Sequence, residues 1–246
     1  MGYLGNATRA SGFDMSSGSF TAVSASDGSL TLADFTVSGY DAPTWNEEDE
    51  EWVDGCAGDF VVQFLTASGT VESKYAWFDN GEQAKGWYNA NGSEISGGAA
   101  SVSIRAGQAM WIQGRGMTLT SAGAVNENDV IYATRASGFD AVGNTTPVAI
   151  TLAKLVVSGY DEPTWNEEDE EWVDGCAGDF VVQFLTASGT VESKYAWFDN
   201  GEQAKGWYNA NGSEISGGAS SVSISAGAGM WIQGRGMTLR IPAPEL

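Results

Sequence analysis

Residues 38–119 recur as residues 158–239 with 5 differences over 82 positions: Ala42/Glu162, Ala100/Ser220, Arg105/Ser225, Gln108/Ala228 and Ala109/Gly229. The octapeptide ATRASGFD likewise occurs at residues 7–14 and again at 133–140. A chain that is nearly one sequence written twice is expected to fold as nearly one unit, twice. Its 246 residues allow two domains of ordinary size, over 1–124 and 125–246. The copies diverge between the two shared blocks, where residues 15–37 stand against the shorter 141–157. The two copies have different chain neighbours there. The Ser- and Gly-rich stretch 15–28 is therefore expected to form an edge that meets another domain or another subunit.

Within each copy the pattern is β. Residues 59–66, DFVVQFLT, place Phe60, Val62 and Phe64 on one face and Val61, Gln63 and Leu65 on the other, as a strand covered on both sides does. Residues 73–78, 86–89, 101–104, 109–113 and 117–120 read as further strands, separated by Asn80-Gly81 and Asn91-Gly92 turns. Gly114 and Gly116 suggest a bulge or a close backbone approach. Leu30 and Leu32 fall out of phase with Phe35 and Val37, which predicts a bulge near Ala33-Asp34. No helical stripe runs beyond about two turns. The fold expected is all-β: two tandem, near-identical antiparallel β-sandwich domains.

Composition excludes several functions. The chain has no His and only 2 Cys, so imidazole relays, imidazole metal sites and thiolate zinc sites are all absent. A net charge of −21 disfavours nucleic acid as a partner. No apolar run approaches the ~20 residues of a membrane span. The first residues lack the regions of a signal peptide, which fits a cytosolic protein or a mature form, and the second is favoured. No phosphate loop, nucleophile elbow or Ser-x-x-Lys is found, and the acids cluster in one loop rather than flanking a cleft. The expectation is a protein that is not an enzyme and has no certain cofactor.

That acidic loop offers candidate calcium ligands in Asp41, Glu47, Glu48, Asp49 and Asp54, repeated as Asp161, Glu167, Glu168, Asp169 and Asp174. Calcium takes six to eight oxygens, and a cation relieves repulsion among crowded carboxylates. The loop lacks EF-hand spacing, however. The alternative is a solvated hairpin tip with Trp45 and Trp52 paired across it. Five Trp per copy raise a second possibility, a sugar-stacking platform built from Trp45, Trp52, Trp87 and Tyr88, and from Trp165, Trp172, Trp207 and Tyr208. Trp77 and Trp111 lie in strong strands and are expected in the core. Cys56 and Cys176 are expected as free, partly buried thiols, with an intermolecular or internal bridge as alternatives. An internal bridge needs pseudo-twofold packing, which a head-to-tail tandem is not expected to give. The four N-x-[ST] matches, at Asn6, Asn91, Asn144 and Asn211, carry little weight.

Gly86-Trp87-Tyr88 followed by residues 106–112 resembles a pattern in uncharacterised secreted β-repeat proteins of bacterial surfaces, and residues 143–147 resemble the start of such a repeat. The resemblance implies an extracellular or cell-surface setting and no activity. Together with low Lys and high Gly, Ser, Thr and Asn, it points to a non-catalytic structural module. Such a module would self-assemble into a fibre, layer or appendage, with its own kind as partner and cations assisting. A tandem glycan-binding or adhesive module is the alternative. An acidic protein adapted to a saline habitat is the third reading.

Overall fold

The computed structural model describes residues 2–17, 30–123, 125 and 127–244. Among the described residues copy one contributes twelve strands: β1 (Gly2–Ala7), β2 (Asp14–Ser17), β3 (Leu30–Thr31), β4 (Phe35–Ser38), β5 (Thr44–Asn46), β6 (Glu51–Val53), β7 (Cys56–Leu65), β8 (Val71–Asp79), β9 (Gly86–Asn89), β10 (Ser103–Ile104), β11 (Ala109–Gln113) and β12 (Thr118–Gly123). Copy two repeats them as β13 (Val130–Ala133), β14 (Asp140–Gly143), β15 (Ile150–Thr151), β16 (Val156–Ser158), β17 (Thr164–Asn166), β18 (Glu171–Val173), β19 (Cys176–Leu185), β20 (Val191–Asp199), β21 (Gly206–Asn209), β22 (Ser223–Ile224), β23 (Gly229–Gln233) and β24 (Thr238–Ile241). The only helical turns among the described residues are short 3-10 segments.

Each copy builds a five-stranded antiparallel sheet, ordered β2-β11-β7-β8-β9 in copy one and β14-β23-β19-β20-β21 in copy two. Each also builds a three-stranded sheet, β1-β12-β4 or β13-β24-β16. The two sheets of a copy bury their inward residues in one cluster. In copy one Phe35, Val37 and Leu119 of the small sheet share a core with Phe60, Val62, Trp77, Met110 and Ile112 of the large one. The arrangement is consistent with a sandwich, in which period-2 alternation sends every second side chain inward. β7 lies third of five, and the outward Val61, Ala76 and Phe78 form a second small cluster on its other face. Coverage on both faces, expected from the DFVVQFLT run, is what this strand has.

Three details differ from expectation. No bulge lies at Ala33-Asp34; a 3-10 turn over Leu32–Asp34 resets the phase instead, and Leu30, Leu32, Phe35 and Val37 are all buried. Asp34 holds that turn by accepting hydrogen bonds from the Thr31 backbone N–H at 2.7 Å and the Thr31 hydroxyl at 2.9 Å. Trp77 is in the core, but Trp111 is not. It alternates with Met110 and Ile112, so it faces away from the core of copy one toward copy two, where its ring meets Trp231 at 6.2 Å. The third difference concerns the packing of the copies. Phe13 N–H donates to Ala187 O at 2.9 Å, and Phe139 N–H donates to Ala67 O at 2.9 Å, the same contact with the copies exchanged. The bridges Ser16↔Ala228 and Gln108↔Val142 form another exchanged pair. The copies therefore meet by pseudo-twofold packing rather than simply head to tail. Cys56 and Cys176 gain no bridge from it. Both thiols are free and buried in their own cores, donating to the carbonyls of Trp77 and Trp197 at 3.4 Å.

Candidate functional site

The acidic segment folds as a hairpin, β5 against β6, with residues 47–50 as its tip. Asn46 closes the tip locally. Its Oδ1 accepts the backbone N–H groups of Glu48 at 3.0 Å and Asp49 at 3.4 Å, while its Nδ2 donates to the Asp49 carboxylate at 2.7 Å. Trp45 lies directly opposite Trp52, their centroids 5.5 Å apart and their planes at 68°. Both indoles remain 49% and 41% exposed, which is unusual for the largest apolar side chain. Trp52 also rests on Gly81, where any Cβ would overlap its ring. Copy two repeats the pair as Trp165 and Trp172, with centroids again 5.5 Å apart.

The proposed metal ligands do not converge. Asp41, Glu47, Glu48, Asp49 and Asp54, and Asp161, Glu167, Glu168, Asp169 and Asp174, are all exposed. Among the described residues no group of three or more His, Cys, Asp or Glu side chains is gathered to hold an ion. Mutual repulsion in water spreads side chains that nothing pulls together. The half of the aromatic platform that involved Trp87 and Tyr88 is also not formed. Trp87 and Trp207 are buried, and their Nε1–H groups donate to the carbonyls of Phe35 and Leu155 at 2.9 Å. Tyr88 and Tyr208 pack on Phe78 and Phe198 and donate to the carbonyls of Ala84 and Ala204. Of the predicted set, only Trp45, Trp52, Trp165 and Trp172 present indole rings to solvent.

Two polar constellations were not legible from spacing. Beneath each hairpin, Trp77 Nε1 donates to the Tyr40 hydroxyl at 2.9 Å, and Tyr40 donates to Asp79 at 2.9 Å. Lys85 donates to Asp79 at 2.8 Å, and its ammonium lies over the Tyr40 ring. The Lys85 bond holds the Asp79 carboxyl below its usual range against the opposing effect of burial, and the Tyr40 bond helps. Burial raises the Tyr40 phenol, and Asp79 raises Lys85. Copy two repeats this as Trp197, Tyr160, Asp199 and Lys205. The donors and acceptors are matched to one another, so the set acts as a latch under the hairpin.

The second constellation crosses the junction. Arg105 of copy one donates to the Tyr132 hydroxyl of copy two at 2.9 Å and lies over its ring, and Tyr132 donates to Asp140 at 3.2 Å. Burial first, then the Asp140 charge, pushes the Tyr132 phenol up to about 12. The exchanged positions carry Ser225 and Asn6, and Asn6 bonds Ser16 instead, so the network exists on one side only. The same asymmetry recurs in packing. Met15 of copy one covers Gly229 of copy two, whereas the exchanged positions are Ala141 and Ala109.

Comparison of the chain with protein-family models, with curated proteins and with solved structures found no match. Among the described residues no helix is long and apolar enough to cross a membrane.

Proposed function

We propose that the chain is a non-catalytic, extracellular structural module, made of two tandem, near-identical antiparallel β-sandwich domains over 1–124 and 125–246, that assembles with its own kind on a cell surface. The observation that carries this reading is the exposed Trp45/Trp52 pair on its acidic hairpin, presented a second time in matching geometry by Trp165/Trp172. An apolar pair kept in water twice over marks a contact surface. Two such surfaces on one body give a bivalent unit, the minimum for a fibre, and a layer would need a further contact. The carboxylates around each pair oppose contact between chains at low ionic strength. Salt screens that repulsion, and a divalent cation bridges tips from different chains. Negative-stain microscopy and light scattering across salt and calcium series test this. The expected outcome is growth of ordered particles with added salt or calcium, lost in the Trp45→Ala/Trp165→Ala protein. Monomers throughout both series overturn it.

Saccharide binding is the second reading, favoured by the same open indoles, whose faces suit the C–H side of a sugar ring. Quenching or shift of tryptophan fluorescence in a glycan titration, absent from the same double variant, would support it over assembly.

A further inference from the structure

We propose that the face joining the two copies is a heterotypic pairing surface, on which copy one accepts copy two and rejects a second copy one. It deepens the assembly reading by naming a contact that can join chains, and its test uses neither calcium nor the hairpins, so either idea can fail alone. Pseudo-twofold packing means that one patch is used twice, once by each copy. A patch of that kind would let any copy pair with its own kind if the two versions were identical. They are not. Three of the 5 differences in the 82 shared positions, Arg105/Ser225, Gln108/Ala228 and Ala109/Gly229, fall on this face. The facing strand differs too, with Met15, Ser16 and Ser17 in β2 against Ala141, Val142 and Gly143 in β14.

These differences are complementary rather than scattered. Gly229 lies in extended strand, so its backbone does not call for glycine. What excludes a side chain is space, because a Cβ there would overlap Met15 Cγ. A second copy one would bring the Ala109 methyl to that place, and the twofold would impose the clash twice. Close-packed interiors do not absorb such an overlap without loss. Gly143 is matched in the same way to Ser17, whose Oγ fills the space a Cβ would take and donates to Asn144 O at 3.1 Å. Arg105 would exchange the Tyr132 ring and hydroxyl for Asn6. A pair of copies two would avoid the overlaps but would leave Ala141 facing Gly229 across a gap, with Tyr132 facing Ser225. The best-matched combination is the one present, and between chains it is copy one of one molecule on copy two of another.

Full-length complementation tests this. Gly229→Leu spoils the face of copy two and leaves that of copy one intact. Ala109→Leu does the reverse. Each protein alone is expected to stay monomeric, while an equimolar mixture at about 0.1 to 1 mM, near the effective concentration within one chain, forms a one-to-one dimer on size-exclusion chromatography with light scattering. Dimerisation of the Gly229→Leu protein by itself, or a mixture no larger than its components, overturns the proposal. A repair experiment covers misfolding of either variant. Gly229→Ala should speed hydrogen exchange of the Phe13 and Phe139 amides at least tenfold, and Met15→Ala/Gly229→Ala should return it to near the parent rate. Unchanged exchange in the single variant, or no recovery in the double, also overturns it.

Discussion

Tyr132 is the residue whose ionisation should be felt most clearly. Its folded pKa of about 12 lies above the ordinary 10.0. The contribution of Tyr132 to stability is therefore fully present below pH 10 and is lost as pH rises through the folded value. Two pH units correspond to about 2 to 3 kcal/mol. Alkaline unfolding followed by tryptophan fluorescence should steepen between about pH 10 and 12, and Tyr132→Phe should flatten that limb. Asp79 and Asp199 act in the opposite direction. Their carboxyls are held below the ordinary 3.8, so their contribution is present above that value and is lost as pH falls below it. Asp79→Asn should cost about 1 to 3 kcal/mol near neutral pH, as loss of a charge-assisted bond does, and chemical denaturation at pH 7 and pH 3 should show the difference shrinking in acid. None of these partners could be named from the sequence. Tyr40, Asp79 and Lys85 are separated by loops, and no local rule places them together.

At the scale of the element, the acidic hairpin was the most legible feature. Trp45 and Trp52 flank the acidic run, their pairing across it is a local property of one short segment, and they do stand opposite each other. The calcium reading of the same segment rests on a gathering of ligands, and no three of its carboxylates come together among the described residues. Carboxylate density records how many ligands a segment carries but not whether the backbone turns them toward one point. Trp52→Ala should remove both the cross-strand pair and the cover on Gly81. A loss of about 0.5 to 1.5 kcal/mol is expected, and near-ultraviolet circular dichroism should lose the signal of the coupled indoles. Trp87→Ala should cost far more, about 3 to 5 kcal/mol, because that ring is core and its N–H is spent on Phe35 O; denaturant unfolding separates the two. The GWY strand and the hairpin both carry Trp in short β segments. Only the sheet to which each belongs distinguishes a buried indole from an open one.

For the whole molecule, 32 acidic against 11 basic residues make self-repulsion a global term. Raising sodium chloride from about 20 to about 500 mM should stabilise the chain by about 1 kcal/mol, or roughly 2 to 4 °C in Tm by calorimetry. A flat response would mean that the charges are already compensated within the fold. The segment 15–28 was expected to meet another domain or subunit. Met15, Ser16 and Ser17 do meet copy two, while residues 18–28 lie outside the described residues. By itself the sequence determined the all-β class, the positions of most strands and turns, and the fact that whatever forms is made twice. Those follow from short-range alternation, turn chemistry and identity between the copies. Tertiary structure alone decided that Trp111 faces a sibling copy rather than a core, that Trp87 is sealed, and that Met15 seats over Gly229. Alternation tells which side chains share a face of a strand. What that face meets depends on residues remote in the chain, 52 positions away for the Trp87 bond to Phe35 and more than a hundred for Trp111 on Trp231 and Met15 on Gly229, and such contact leaves no period in the chain.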